Sequence, residues 1–277
     1  MIAAGRVLGS FGPFFHCLAV ALFAVLTAFP HGDLHERIEE LSARIDHDKS
    51  NAELLLKRAD LYRQHQEYSR ALADIHLARS LRSDTQATYL LALVLLDSGK
   101  TSEAKAHLDE VLQKAPSHSA ALVTRARTQV RLGNDAAAAA DFAAAAKLIQ
   151  KPDPDIYLEH ARCLARAGQG KQAIHLLEQG LKHIGPIPSL QLYALDLEVS
   201  LGAFDSALTR LAAMETGPSM RFDLMQLRGE ILLKAGRRPE ARETFEFALA
   251  SINNQPARMN PRLQAIRTHL RSYLQDL

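Results

Sequence analysis

The chain has 277 residues, 47% hydrophobic and 23% charged, enough for a large buried core in one elongated unit or two ordinary domains. Lysine plus arginine (33) nearly balance aspartate plus glutamate (31), and the net charge of +2 gives no electrostatic footprint for nucleic acid or an anionic membrane surface. Tryptophan is absent and good helix formers outnumber β-branched residues, so the composition predicts an all-α chain.

Residues 1–28 read as a secretory signal peptide. Arg6 precedes an apolar run that is densest from Leu18 to Ala28, and no acidic residue comes before Asp33. Ala28 is the best small residue for cleavage, although Leu26 is larger than usual two places before it. The expected location is periplasmic or secreted. The alternative is an uncleaved membrane anchor from Phe11 to Pro30, interrupted by Pro13 and His16. Only under that alternative does the chain touch a membrane. "FFHC" lacks the small residues that precede a lipidated cysteine, and loss of Cys17 leaves Cys163 as a lone thiol.

Residues 29–51 are expected to form a capping helix, with Leu34, Ile38, Leu41 and Ile45 on one face. Asp33 is placed as its N-cap and Glu36 as the residue reaching back, with His31 ahead of the helix. The cluster His31, Asp33, His35 and Glu39 supports an alternative, a metal-binding protein or a metal-dependent enzyme. Capping explains the same residues without a metal, since only His35 and Glu39 then share a face.

From residue 52 to 255 a unit repeats. "RLGNDAAAAADFAAAAKLIQ" shares its skeleton with "LDSGKTSEAKAHLDEVLQKAP", "ARAGQGKQAIHLLEQGLKHIGP", "VSLGAFDSALTRLAAM" and "LKAGRRPEARETFEFALA", and more distantly with "RQHQEYSRALADIHLARSL". Gly99, Gly133, Gly168, Gly202 and Gly236 hold one place, with Gln66 in the first copy. Five residues on, all six copies carry Ala (Ala71, Ala104, Ala138, Ala173, Ala207, Ala241), at intervals of 33, 34, 35, 34 and 34. Apolar residues at helical spacing lie on both sides of each Gly, so each copy is a helix–turn–helix hairpin whose first helix ends at the Gly. Pro116 and Pro186 follow second helices, and Pro152 and Pro154 stop a third. Small residues (Ala59, Ala92, Ala126, Ala161, Gly229) face large wedges (Ile75, Leu108, Phe142, Leu177, Phe245) where two helices approach closely.

The period, the small–Gly–Ala–wedge–small skeleton and the paired helices resemble the tetratricopeptide repeat family. The resemblance implies a right-handed superhelical array of antiparallel helix hairpins, with copies at 52–85, 86–118, 119–153, 154–187, 188–221 and 222–255 and a capping helix at 256–277. The bulky residue often found early in the first helix is replaced by Leu55, Thr88, Leu122, Tyr157, Gln191 and Met225. Leu195 and Met214 occupy places where small residues are usual, which makes the fifth copy the weakest match.

No HExxH, GxSxG, phosphate-binding glycine loop or CxxC pair occurs in the sequence, and no cofactor is expected. The resemblance implies a concave surface of first helices that takes a protein or peptide. Helical spacing sends Tyr89, Leu93 and Leu96 of the second copy, Val123, Arg127 and Arg131 of the third, and Leu158, Arg162 and Arg166 of the fourth toward it. Two i,i+4 arginine pairs one repeat apart are expected to converge there and to favour acidic residues of a partner. The competing reading makes them inter-repeat ion pairs, with Asp97 near Arg131 and Asp196 near Arg162. Leu56 and Asp60 stand where some family members carry the Lys/Asn clamp for a chaperone C-terminus. RNA binding by a helical-repeat array is disfavoured by the near-neutral charge and by acidic groove places Asp60, Asp196 and Glu230.

Overall fold

A computed structural model describes residues 29–82, 84–214, 221–254 and 261–277; the expected leader lies outside them. Among the described residues the secondary structure is fourteen α-helices and no strand. They are α1 (Phe29–His47), α2 (Ala52–Gln64), α3 (Tyr68–Leu81), α4 (Thr85–Asp97), α5 (Thr101–Lys114), α6 (Ser119–Arg131) and α7 (Asp135–Leu148). These are followed by α8 (Pro154–Arg166), α9 (Gly170–Ile184), α10 (Pro188–Ser200), α11 (Phe204–Met214), α12 (Arg221–Lys234), α13 (Arg238–Asn253) and α14 (Pro261–Asp276). The chain forms two compact units, divided between residues 121 and 122. Each is a stack of antiparallel helix hairpins, the fold of a tetratricopeptide-type solenoid.

The turn inside each hairpin has one cause. Gly99, Gly133, Gly168, Gly202 and Gly236 all take φ between 73° and 84°, the left-handed region in which glycine has no Cβ penalty. Gln66 takes the same conformation at φ 63°, at a cost of about 1–2 kcal/mol for a residue with a side chain. In each turn the amide that follows reaches back five residues, as in Lys100 N–H to the Leu95 carbonyl (2.8 Å) and Asn134 N–H to the Gln129 carbonyl (2.9 Å). Carbonyls at the end of the first helix are thereby satisfied before the second begins.

In the first unit α1 packs on α2, and α2–α3 and α4–α5 form hairpins. Ile38 and Ile45 of α1 are buried in the same core as Leu55, Ala59, Ile75, Leu91 and Val94. The helix already runs from Phe29, so Asp33 lies inside it and is exposed, which overturns its placement as N-cap. His31 likewise lies within the helical span and not before it. With residues 29–32 helical, the amides that Asp33 was expected to cap are those of an established helix. The next helix is capped as the sequence chemistry favours: the Asn51 side chain accepts from Leu54 N–H at 3.2 Å.

In the second unit the hairpins are α6–α7, α8–α9, α10–α11 and α12–α13, and α14 packs on α13 and α12. The wedges Phe142, Leu177, Leu211 and Phe245 are all fully buried. Leu195, at a place that is small in other hairpins, is also buried, in a cluster with Ala207 and Leu211.

Each hairpin core must also close around its polar groups, and among the described residues the hairpins α2–α3, α6–α7 and α10–α11 carry an ionic lock between their own two helices. Arg58 donates to Asp74 through Nε and Nη2 at 2.7 and 2.8 Å. Arg125 donates to Asp141 in the same way at 2.7 and 2.6 Å, and Gln129 also donates to that carboxylate. In α10–α11 the signs are exchanged: Arg210 of the second helix donates to Glu198 of the first at 3.0 and 2.7 Å.

His160 of α8 is buried and stacks on Phe142 of α7, ring centroids 6.1 Å apart. Burial pushes its pKa down from 6.5 to about 4. Above the unfolded value of about 6.5 the ring is neutral in both states and costs nothing. Between about 6.5 and about 4 the unfolded chain takes up a proton that the folded chain refuses, so stability falls as the pH falls. At one pKa unit per about 1.4 kcal/mol, the loss approaches about 3 kcal/mol once the pH is below 4. Urea titrations from pH 8 to pH 4 should show this slope in the native chain and a shallower one in His160→Phe; parallel curves would refute the assignment.

Candidate functional site

The residues expected to form one groove divide between the units: Tyr89, Leu93 and Leu96 lie in the first, and Val123, Arg127, Arg131, Leu158, Arg162 and Arg166 in the second.

The first unit has a recess of about 580 Å³ lined by α1, α2 and α4. Tyr89 and Leu93 line it with Leu41, Arg37, Arg44 and Lys57. Leu96 is not among its lining residues; it is buried in the core, because α4 is almost wholly apolar and packs on more than one side. Tyr89 is also held at its ring by His118, centroids 5.0 Å apart. The contribution of α1 to this recess was missed from the sequence, where the helix reads as a cap with a metal site as the alternative. Its signal was the basic pair Arg37 and Arg44, seven residues apart and so on one face.

In the second unit Arg127, Arg131, Arg162 and Arg166 all line one recess of about 300 Å³, with Glu159 and Cys163. Their spacing explains this: i,i+4 residues share a helix face, and α6 and α8 are first helices of consecutive hairpins. Arg127, Arg162 and Arg166 are each tied across hairpins. Arg127 donates to Glu159 through Nε (2.8 Å) and Nη2 (3.0 Å), and Arg166 donates through Nε to Asp135 (2.8 Å). That carboxylate pushes the Arg166 pKa above its ordinary value. The Arg162 guanidinium lies 5.7 Å from the centroid of the Tyr193 ring. Beneath Arg166 (3.8 Å) the Cys163 thiol is buried, and burial pushes its pKa up. It is held as the unreactive thiol. Val123 is buried, and Leu158 is half-buried against the core around Tyr157 and Leu177.

Of the two expected inter-repeat pairs, that of Arg162 is replaced by another contact. Asp97 accepts from Arg63 at 2.6 Å, one hairpin earlier in the chain, within the first unit. Arg162 meets the Tyr193 ring, where an ion pair with Asp196 was expected. Four of the nine expected residues are exposed guanidinium-bearing side chains around a single recess, and two are core residues.

His35 Nε2 lies 3.1 Å from a Glu39 carboxylate oxygen on the exposed face of α1. Among the described residues no group of three or more His, Cys, Asp or Glu side chains is arranged to hold a metal ion, and the His31 side chain lies outside that description. Among the same residues no helix is long and apolar enough to cross a membrane.

Comparison with known proteins agrees with this architecture. Residues 89–155 match the tetratricopeptide repeat family model. No curated protein matches the chain. Among solved structures it is similar to a tetratricopeptide repeat protein from Parabacteroides merdae at 20% identity and TM-score 0.52, covering 89% of this chain and 95% of that one. It is also similar to the C-terminal part of a TPR repeat-containing protein from Cytophaga hutchinsonii at 13% identity and TM-score 0.63, over 87% of this chain and 96% of that one. A third likeness, at 15% identity and TM-score 0.54, is to the structure of Naa15/Naa10 bound to HypK-THB, over 92% of this chain and 39% of that one. At these identities the likenesses establish the fold.

Proposed function

We propose that this chain is a non-enzymatic scaffold that binds a protein or peptide on the first-helix surface of its second unit, with acidic residues of the partner against Arg127, Arg131, Arg162 and Arg166. The observation that carries this reading is the gathering of four guanidinium groups around one recess of about 300 Å³. Such forks meet carboxylates with two parallel hydrogen bonds, and arginine is enriched among residues that dominate binding energy. Tyr89 and Leu93 are the apolar contacts of the same partner class in the first unit. A structural neighbour solved as a complex, Naa15/Naa10 bound to HypK-THB, lends the fold-level analogy. The leader-like residues 1–28 support export, and the partner is then extracytoplasmic.

Affinity capture from the extracytoplasmic fraction tests both parts, with the native chain as bait beside a variant carrying Arg→Glu at 127, 131, 162 and 166. The expected result is a protein retained by the native chain and lost from the variant at unchanged helicity, on a bait whose N-terminal sequence begins near Phe29. Equal retention by both baits removes the arginines from the site, and a bait still carrying Met1 removes the cleaved leader.

A further inference from the structure

Resting on the scaffold reading, we propose that the recess of the first unit takes an amphipathic helix of a partner protein, apolar in its middle turn, with carboxylates seven residues apart on either side. The floor of the recess is apolar. Leu56 and Leu90 are buried, whereas Leu41, Tyr89 and Leu93 are half-buried and leave part of their surface to the recess. The α1 side of its rim is basic. Arg37 and Arg44 line it and are exposed, and among the described residues neither guanidinium has a hydrogen bond or an ion pair. In this they differ from Lys57, which holds Glu53 at 2.6 Å, and from Asp60, which accepts from Arg63 and Gln64 at 2.9 and 2.8 Å. Glu40 lies between the two arginines in sequence and bonds to neither. A uniformly acidic segment would meet the charges of Glu40 and Asp60, so the recess selects against it. An apolar floor bracketed by two uncommitted guanidinium groups is matched by an apolar turn bracketed by two carboxylates.

The pitch selects a helix. Arg37 and Arg44 are seven residues apart in α1, a rise of about 10.5 Å. Residues i and i+7 of a partner helix lie at the same separation on one face, with i+3 and i+4 between them. Along one face of an extended chain, residues recur at about 6.7 and about 13.4 Å, which fall on either side of that value. The recess volume of about 580 Å³ lies within the range of roughly 300–1,000 Å³ for sites that bury most of what they bind. It is room for the i+3 and i+4 side chains together, laid on Leu41 and Leu93.

The test is calorimetric titration of the full chain with four peptides on one Ala-rich helical host. The first carries Glu at i and i+7 with Leu at i+3 and i+4. The others move the second Glu to i+5, replace both Glu by Gln, or break the first pattern with a central Pro. The first should bind about tenfold tighter than each of the other three. Arg37→Gln and Arg44→Gln should each weaken it about tenfold, with circular dichroism and melting of the chain unchanged, since neither has a partner to lose. No binding, equal affinity for the respaced or Pro-broken peptide, or affinity indifferent to both substitutions would overturn the proposal. So would a dimer of the chain in sedimentation that is lost when both are substituted, which puts a second copy in the recess. If any of these holds while partner capture still depends on Arg127, Arg131, Arg162 and Arg166, the proposal falls and the scaffold reading stands. If capture ignores those four, the second-unit site falls, and the peptide titrations decide the first-unit recess by themselves.

Discussion

Phe245→Ala is expected to destabilise the last hairpin by about 3–5 kcal/mol, the usual cost of truncating a buried phenylalanine. Phe245 is fully buried in α13, stacks on Tyr273 of α14 with centroids 4.9 Å apart and planes 9° from parallel, and fills the space left by Gly229 of α12. A Cβ at Gly229 would land on the Phe245 ring. One side chain thus holds three helices, and its loss opens a cavity that none of them closes alone. Stability in such stacks is a sum of local terms, so the loss should be read locally. Hydrogen exchange should accelerate across residues 238–253 and 261–276 while α8 and α9 keep their protection; uniform acceleration, or a change below about 1 kcal/mol, would be the contrary result. A second comparison isolates the contact. Gly229→Ala and Phe245→Leu should cost less together than the sum of their separate costs, because the smaller wedge makes room for the methyl group. Ala with Leu already occupies the equivalent places at 92/108 and 161/177.

Asp141→Ala is expected to cost about 3 kcal/mol, at the low end of the range for breaking a buried ion pair. Asp141 is only 6% exposed and accepts from Arg125 and from the buried Gln129 amide. Truncation withdraws the acceptor from both while leaving them between α6 and α7. The value sits at the low end because the Arg125 side chain keeps 23% of its exposure and reaches water. Urea midpoints of the native chain and the variant measure the loss. The triple variant Arg125→Met, Gln129→Leu, Asp141→Leu should recover most of it, since apolar replacements remove the desolvation cost with the pair. No recovery would mean that the lock contributes more than its charges.

Much of this architecture is legible in the sequence because it rests on backbone constraints and volumes. The left-handed turn demands Gly at 99, 133, 168, 202 and 236, and close crossings demand a small residue opposite a wedge, so both repeat with the period. The arginine recess follows from the same bookkeeping of face and period. Pairings between side chains are less legible, because long side chains choose among several neighbours within reach. Asp97 has Arg63 as its partner, and Glu159 has Arg127. The outer limits of burial are also hidden: Leu96 and Val123 have groove spacing but lie on helices whose buried arc is wide enough to take them in. The start of α1 was misread because Asp33 has the chemistry of a cap, and four residues ahead of it are helical as well. The ionic locks carried a signal that spacing alone supplies, an Arg eight residues before the turn and an Asp eight after it, at 58/74 and 125/141.

Those locks give the hairpins individual identities. A repeat chain offers each first helix several near-equivalent second helices, so mispairing is its characteristic folding error. If α10 docked on α7 in place of α11, Glu198 would be buried beside Asp141. If α6 docked on α11, Arg125 would face Arg210. Both exchanges bring like charges together where burial leaves little water to screen them, a penalty that correct pairing never meets. The sign reversal between the two locks therefore works as a proofreading code written into the interior, rejecting wrong partners within the chain.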